Sequence, residues 1–212
     1  KGLYDEALST IDLALEVNPN FILAINNKVN ILKGLRKIKE ALKFLDENKS
    51  CFEKSIDLMT LKVDLCIELL DLKEAFKINE EILTKNPDNI TSINNKGVIF
   101  EKNSRFQKRE KYLPLALECF ENIIKNNKDF VLGWSNKFAI LLNSAKLKEA
   151  EEIIDIAYTN FPKNHHILNK KGVMLLNKEN PKEALKYFDM ALKLFYQEEY
   201  LVNKTKAHTK LN

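Results

Sequence analysis

Asn27, Leu61, Asn95, Asn136 and Lys170 are separated in turn by 34, 34, 41 and 34 residues, so asparagine fills three places of one spaced series. A side-chain amide donates and accepts, and a ladder of amides can therefore grip the backbone of an extended peptide whatever its sequence. The plainer reading is compositional. The chain is rich in Asn and Lys, and pairs such as Asn27–Lys28, Asn95–Lys96 and Asn136–Lys137 follow from that. Both readings stay open on the sequence.

Other groups with chemical potential are weaker. Asp57 and Asp64 could act as a paired acid and base, but carboxylates on a charged surface are expected to be solvated or to contact a partner. His165 and His166 sit at the start of a helical pattern and His208 near the end, and all three read as exposed structural histidines. No Gly-rich phosphate loop, His/Cys metal spacing or nucleophile motif is present, so the reading is non-catalytic, with no cofactor and no metal. Cys51, Cys66 and Cys119 lack paired spacing, which argues against a disulfide framework and fits a reducing, cytoplasmic setting.

The charge balance narrows the partners. With 34 basic and 30 acidic residues mixed along the chain, the net charge of +4 gives no electrostatic case for DNA. The nearest approach to a nucleic-acid patch is Arg105, Lys108, Arg109 and Lys111, interleaved with Phe106 and Tyr112, and a solvated basic loop is the preferred reading of it. No run of eighteen apolar residues and no signal-like N-terminus occurs, so no membrane association is expected.

The elements that must position these residues are helical. Ala7, Ala41, Ala75, Ala116, Ala150 and Ala184 follow one another at 34, 34, 41, 34 and 34 residues, each preceded by Glu except Ala116, which follows Leu115. Two antiparallel helices approach closely only where side chains are small, so this column marks a packing contact. Phe188 has counterparts at Ile11, Leu45, Phe120 and Ile154, with Asn79 as the odd member. Ala191 has counterparts at Ala14 and Ala157, enlarged to Ile82 and Ile123. On the preceding segment Leu168 and Leu175 bracket Gly172, and Ile25, Met59, Ile93 and Trp134 match the former. These positions form one apolar helical stripe. Pro19, Pro87 and Pro162 end second helices.

These columns resemble the tetratricopeptide repeat, whose motif sets Trp, Leu, Gly and Tyr on a first helix and Ala, Phe, Ala and Pro on a second. Trp134 with Ala150, Ala157 and Pro162, and Gly172 with Ala184, Phe188 and Ala191, carry the likeness best. The resemblance implies an all-α fold, a right-handed α-solenoid superhelix of antiparallel helical hairpins. Over residues 1–212 it implies one array: a half repeat at 1–21, complete repeats at 22–55, 56–89, 90–130, 131–164 and 165–198, and a capping or truncated helix at 199–212. The fourth repeat carries seven extra residues, expected to lengthen its hairpin, with a loose loop as the second choice. Val29 in the Gly172 column is expected to loosen its repeat, and Asn79 to rotate aside so that Ile78 or Ile82 fills its space. Because the chain opens at Lys1 in mid-repeat, it is expected to be a piece of a longer protein. Leu8 and Ile11 or Leu15 should then show an uncovered apolar edge, through which copies could associate end to end. At the other end Tyr200, Leu201, Ala207 and Leu211 are expected to contact the last repeat.

By the same resemblance the first helices line a concave groove that holds a peptide or partner protein. The residues carried onto that lining are Asn27, Asn30, Asp64, Asn94, Asn95, Asn136, Asn169 and Lys170. A clamp for the acidic C-terminus of a chaperone is disfavoured, because only Asn136 matches it outright and Lys170 in part. The expected function is thus a non-catalytic protein-interaction scaffold. Alternatives are an RNA-binding array like the related pentatricopeptide family, or a regulatory arm of a larger enzyme.

Overall fold

A computed structural model describes residues 2–106 and 109–211, and among them every regular element is a helix. The helices are α1 (Gly2–Val17), α2 (Ile22–Gly34), α3 (Ile38–Glu47), α4 (Lys49–Phe52), α5 (Ile56–Glu68), α6 (Leu72–Lys85), α7 (Ile90–Phe106), α8 (Arg109–Asn126), α9 (Val131–Asn143), α10 (Leu147–Asn160), α11 (His165–Asn177), α12 (Pro181–Leu194) and α13 (Glu198–Thr209). Lys108 of the basic run lies outside the described residues, as do Lys1 and Asn212. The chain forms two compact units, residues 1–112 and 113–212.

In the first unit, α2 with α3 and α5 with α6 are antiparallel hairpins stacked beside α1 and α7. The Ala column lies inside: Ala41 and Ala75 are fully buried, beside Ile25, Val29, Leu45, Met59 and Ile82. Val29 does not open its repeat: it is fully buried, in one core with Leu45 of the Phe188 column, itself 1% exposed. The repeat that no proline closes gains instead the short helix α4, which buries Cys51 and Phe52.

Asn79 departs from the expectation. It does not turn aside but stays fully buried in its column, where its amide donates to the carbonyl of Ser92 on α7 at 3.0 Å. Ile78 and Ile82 on the same helix are buried too, so the packing stays closed, at the cost of Asn79 Oδ1 and Ser92 Oγ, both buried with no hydrogen-bond partner.

In the second unit, α9 with α10 and α11 with α12 repeat the hairpin, and α13 lies against α11 and α12. Ala150, Ala157, Ala184 and Ala191 are fully buried. Gly172 is required here by its neighbour, since a methyl group in its place would overlap the Phe188 ring. Gly133 plays the same part for the side chain of Ile123, which enlarges the Ala191 column. Of the expected contacts of α13, Tyr200 and Ala207 are buried, whereas Leu201 and Leu211 face out.

The hairpin turns share a device that the apolar pattern does not show. Arg36, Leu70, Ala145 and Glu179 each have φ between 56° and 61°, and the next residue donates back across the helix end, as Lys37 does to Leu32 and Asn180 to Leu175, both at 2.9 Å. This left-handed closure favours glycine, and none of the four positions has one. The insertion is taken up by helix: α7 has 17 residues and α8 has 18, against 13 and 14 in α11 and α12. Pro114 lies inside α8, where its ring leaves the carbonyl of Glu110 without the usual helical donor.

Candidate functional site

Successive hairpins are tied by a charge that the sequence reading assigned to composition. The Lys before the Gly172 column reaches back to an acid on the previous second helix: Lys28 to Asp12 at 2.6 Å, Lys62 to Asp46 at 2.6 Å, Lys96 to Glu80 at 3.0 Å and Lys137 to Glu121 at 2.9 Å. Lys171 pairs in the same way with Asp155. Lys28 and Lys62 also lie over the rings of Phe44 and Phe52. Each half-exposed rung is worth about 0.2–1 kcal/mol, and together they fix how one hairpin is set on the next. The lysines of these pairs are thus structural.

The expected binding residues divide by what lies beside them. Asn95 is 6% exposed, and its amide donates to Asp64 on α5 at 3.1 Å. Asp64 also faces Lys33 of α2 at 3.5 Å, and Lys33 meets Glu68 at 3.3 Å. Burial pushes the Asp64 carboxyl above its ordinary value, opposed by the Lys33 ammonium and the Asn95 amide. The result is a chain of polar contacts across three first helices. Asn94 is buried as well.

In the second unit Asn169 is wholly buried: its amide donates to Glu199 at 3.3 Å while its oxygen accepts from Asn203 at 3.1 Å. Lys170 reaches the same Glu199 at 3.3 Å. Asn136 is half-buried on α9. His165 and His166 are not exposed bystanders; both are half-buried and turn Nδ1 to the hydroxyl of Tyr200, at 2.8 and 3.1 Å.

Asn27 and Asn30 alone of the eight are exposed, and the structure brings them together. They flank an open groove of about 570 Å³ between α1 and α2, lined by Tyr4, Ala7, Thr10, Ile11, Ile31 and Gly34 besides the two amides. Asn30 donates to Asn26 at 2.7 Å, which holds its amide along the wall. A side chain added at Gly34 would enter open space. The lining carries no charge, so its chemistry is an apolar floor with amides at the rim. Of the apolar edge expected on α1, Ile11 lines this floor, whereas Leu15 packs against the core of the first unit; Leu8, Ile11 and Leu15 are all half-buried.

Among the described residues no three metal-ligating side chains come together, and no helix is long and apolar enough to cross a membrane.

This arrangement of stacked hairpins is the tetratricopeptide-repeat fold. The structure is similar to a tetratricopeptide repeat protein from Parabacteroides merdae, with a TM-score of 0.82 at 16% identity, over 100% of this chain and 79% of that one. It is similar also to a thermophilic TPR protein from Thermus thermophilus, with a TM-score of 0.76 at 14% identity, over 90% of this chain and 98% of that one. A third likeness is to YrrB, a TPR protein with an unusual peptide-binding site, with a TM-score of 0.52 at 19% identity, over 92% and 97% of the two chains. At these identities the likeness establishes the fold. No family model and no curated protein matches the sequence.

Proposed function

We propose that this chain is a protein-interaction scaffold in which the groove between α1 and α2 seats a helical segment, as a first helix is seated in the other repeats. The observation that carries the reading is the groove itself, with Tyr4, Ala7, Ile11 and Ile31 as apolar floor and Asn27 and Asn30 at the rim. Such a surface favours apolar burial oriented by a few polar groups.

The fold supplies the preference for a helix. Elsewhere in the first unit the corresponding seat holds a first helix, as α2 lies against α3 and α5. There α2 sets Lys33 against Asp64 and Glu68. The positions 34 residues earlier are Asn30 and Gly34, which offer a cation no partner. The groove therefore suits an amphipathic helix with a neutral face. It equally offers nothing to a phosphate, since no Lys or Arg lines it, and the RNA-binding alternative gains no support there. The peptide-binding site of YrrB is consistent with this use of the fold.

Gly34→Leu tests the proposal, because the new side chain fills the groove without meeting another atom. Helical peptides selected from a displayed library against the intact chain should lose at least about tenfold in affinity for this variant, or about 1.4 kcal/mol. Unchanged affinity would place the binding surface elsewhere.

A further inference from the structure

Three places hold chemistry that neither the packing nor the proposed groove uses: the polar pair Asn79 and Ser92, the Asp64 cluster, and the two histidines beside Tyr200. The last is the most completely built. Tyr200, on α13, is 1% exposed, and its hydroxyl meets Nδ1 of both His165 and His166 at the first turn of α11. The imidazole rings are 4.2 Å apart, and His165 stacks on Phe195 at 4.8 Å. A phenol oxygen donates one proton and accepts others, so the two neutral imidazoles satisfy it in opposite tautomers, one presenting a bare Nδ1 and the other Nδ1–H.

We infer that the docking of α13 on α11 is an acid-released latch, in which protonation of the His165–His166 pair frees α13 from the second unit. Protonation turns both Nδ1 atoms into donors, so the phenol can no longer give its own hydrogen to either. It also places two positive rings side by side. The charged groups nearby do not compensate. On α11, Lys170 adds a third positive charge, and on α13 the acids are Glu198 and Glu199 of the first turn, of which Glu199 lies nearest His166 and is already engaged by Lys170 and Asn169. Tyr158 of α10 and Tyr187 of α12, which pack on the same cluster, are uncharged phenols.

The direction of the effect follows from the environment. Burial lowers both histidines below their ordinary 6.5, and His165 and Lys170 lower His166 further, against Glu199. A base depressed by folding gives stability that is present above the unfolded value and is lost as pH falls through 6.5 toward the folded values. What α13 uncovers is apolar: Leu168 and Ala191, packed with Tyr200, and Leu176 and Phe188, packed with Ala207. One element can open locally while the hairpins behind it stay folded.

Amide hydrogen exchange on the intact chain reads this directly, at about pH 7.5 and about pH 5.5 after correction for intrinsic rates. Protection across residues 198–209 should fall about tenfold or more in acid while α9 and α10 keep theirs. The double variant His165→Gln with His166→Gln should show no such dependence. Equal protection of α13 at both pH values, or a loss shared by α9 and α10, would overturn the latch. Should the double variant not fold, the imidazole proton resonances of the unaltered chain decide. Titration of both rings below 6.5 in step with loss of Tyr200 contacts supports the latch, and titration at 6.5 with those contacts intact contradicts it.

Discussion

The amides of α2 and of α11 belong to the same repeat surface and do opposite work. At the α1–α2 groove Asn27 and Asn30 face outward beside an apolar floor. At the α11–α13 junction Asn169 is sealed, bonded to Glu199 and Asn203. The residue type is the same and the register is not: the counterpart of Asn169 on α2 is the half-buried Asn26, and Asn27 and Asn30 stand one and four positions beyond it. Where α13 lies alongside, the amide becomes an interhelical tie, and Asn95 is likewise taken up by Asp64. An asparagine on a first helix stays open to a ligand only where no neighbouring helix claims it.

The contrast is open to direct attack. Its largest consequence is at α11, where Asn169→Leu strips partners from Glu199 and Asn203 in a buried site and should cost about 1–3 kcal/mol in denaturant unfolding. If the variant were as stable as the parent chain, α11 and α2 would no longer differ. Asn95→Ala should cost less, about 0.5–1.5 kcal/mol, because Asp64 is half-exposed and water can replace the lost donor. On the open side the sign reverses: Gly34→Ala adds a better helix former facing empty space and should raise stability by about 0.5–1 kcal/mol. The smallest effect on folding belongs to Asn27→Ala with Asn30→Ala, within about 0.5 kcal/mol of the parent chain, although groove binding should weaken. A larger loss would show that these amides also hold helices together.

The same logic explains what could be read from the residues. Ala41, Ala75, Ala150 and Ala184 identify the hairpin contact because only a small side chain allows two helix axes to approach, and that demand repeats at the repeat length. Gly172 was legible for the same reason, being matched to the bulk of Phe188. The rungs from Lys28 to Asp12 and from Lys62 to Asp46 were not. Their members stand 16 residues apart on different helices, a spacing that no single helix face produces. The recurring acid sixteen residues before each such lysine was the available signal. Asn79 escaped for a further reason: its partner is a backbone carbonyl, which carries no residue identity.

Of the candidate site, the register located Asn27 and Asn30 on one helix face. Whether Asn94, Asn95 and Asn169 also stood free depended on the neighbouring helix, which composition does not fix. The left-handed turns at Arg36, Leu70, Ala145 and Glu179 hid themselves by lacking the glycine that would have marked them.

The central proposal is that the open amides of α2 meet a helix seated in the α1–α2 groove. Amide chemical-shift mapping of the intact chain, titrated with a groove-selected helical peptide, tests it most directly. The account predicts the largest shifts on the facing sides of α1 and α2, centred on Asn27, Asn30, Ile31 and Gly34, with α11 silent. Shifts concentrated around Asn136, Asn169 and Lys170 instead would contradict it.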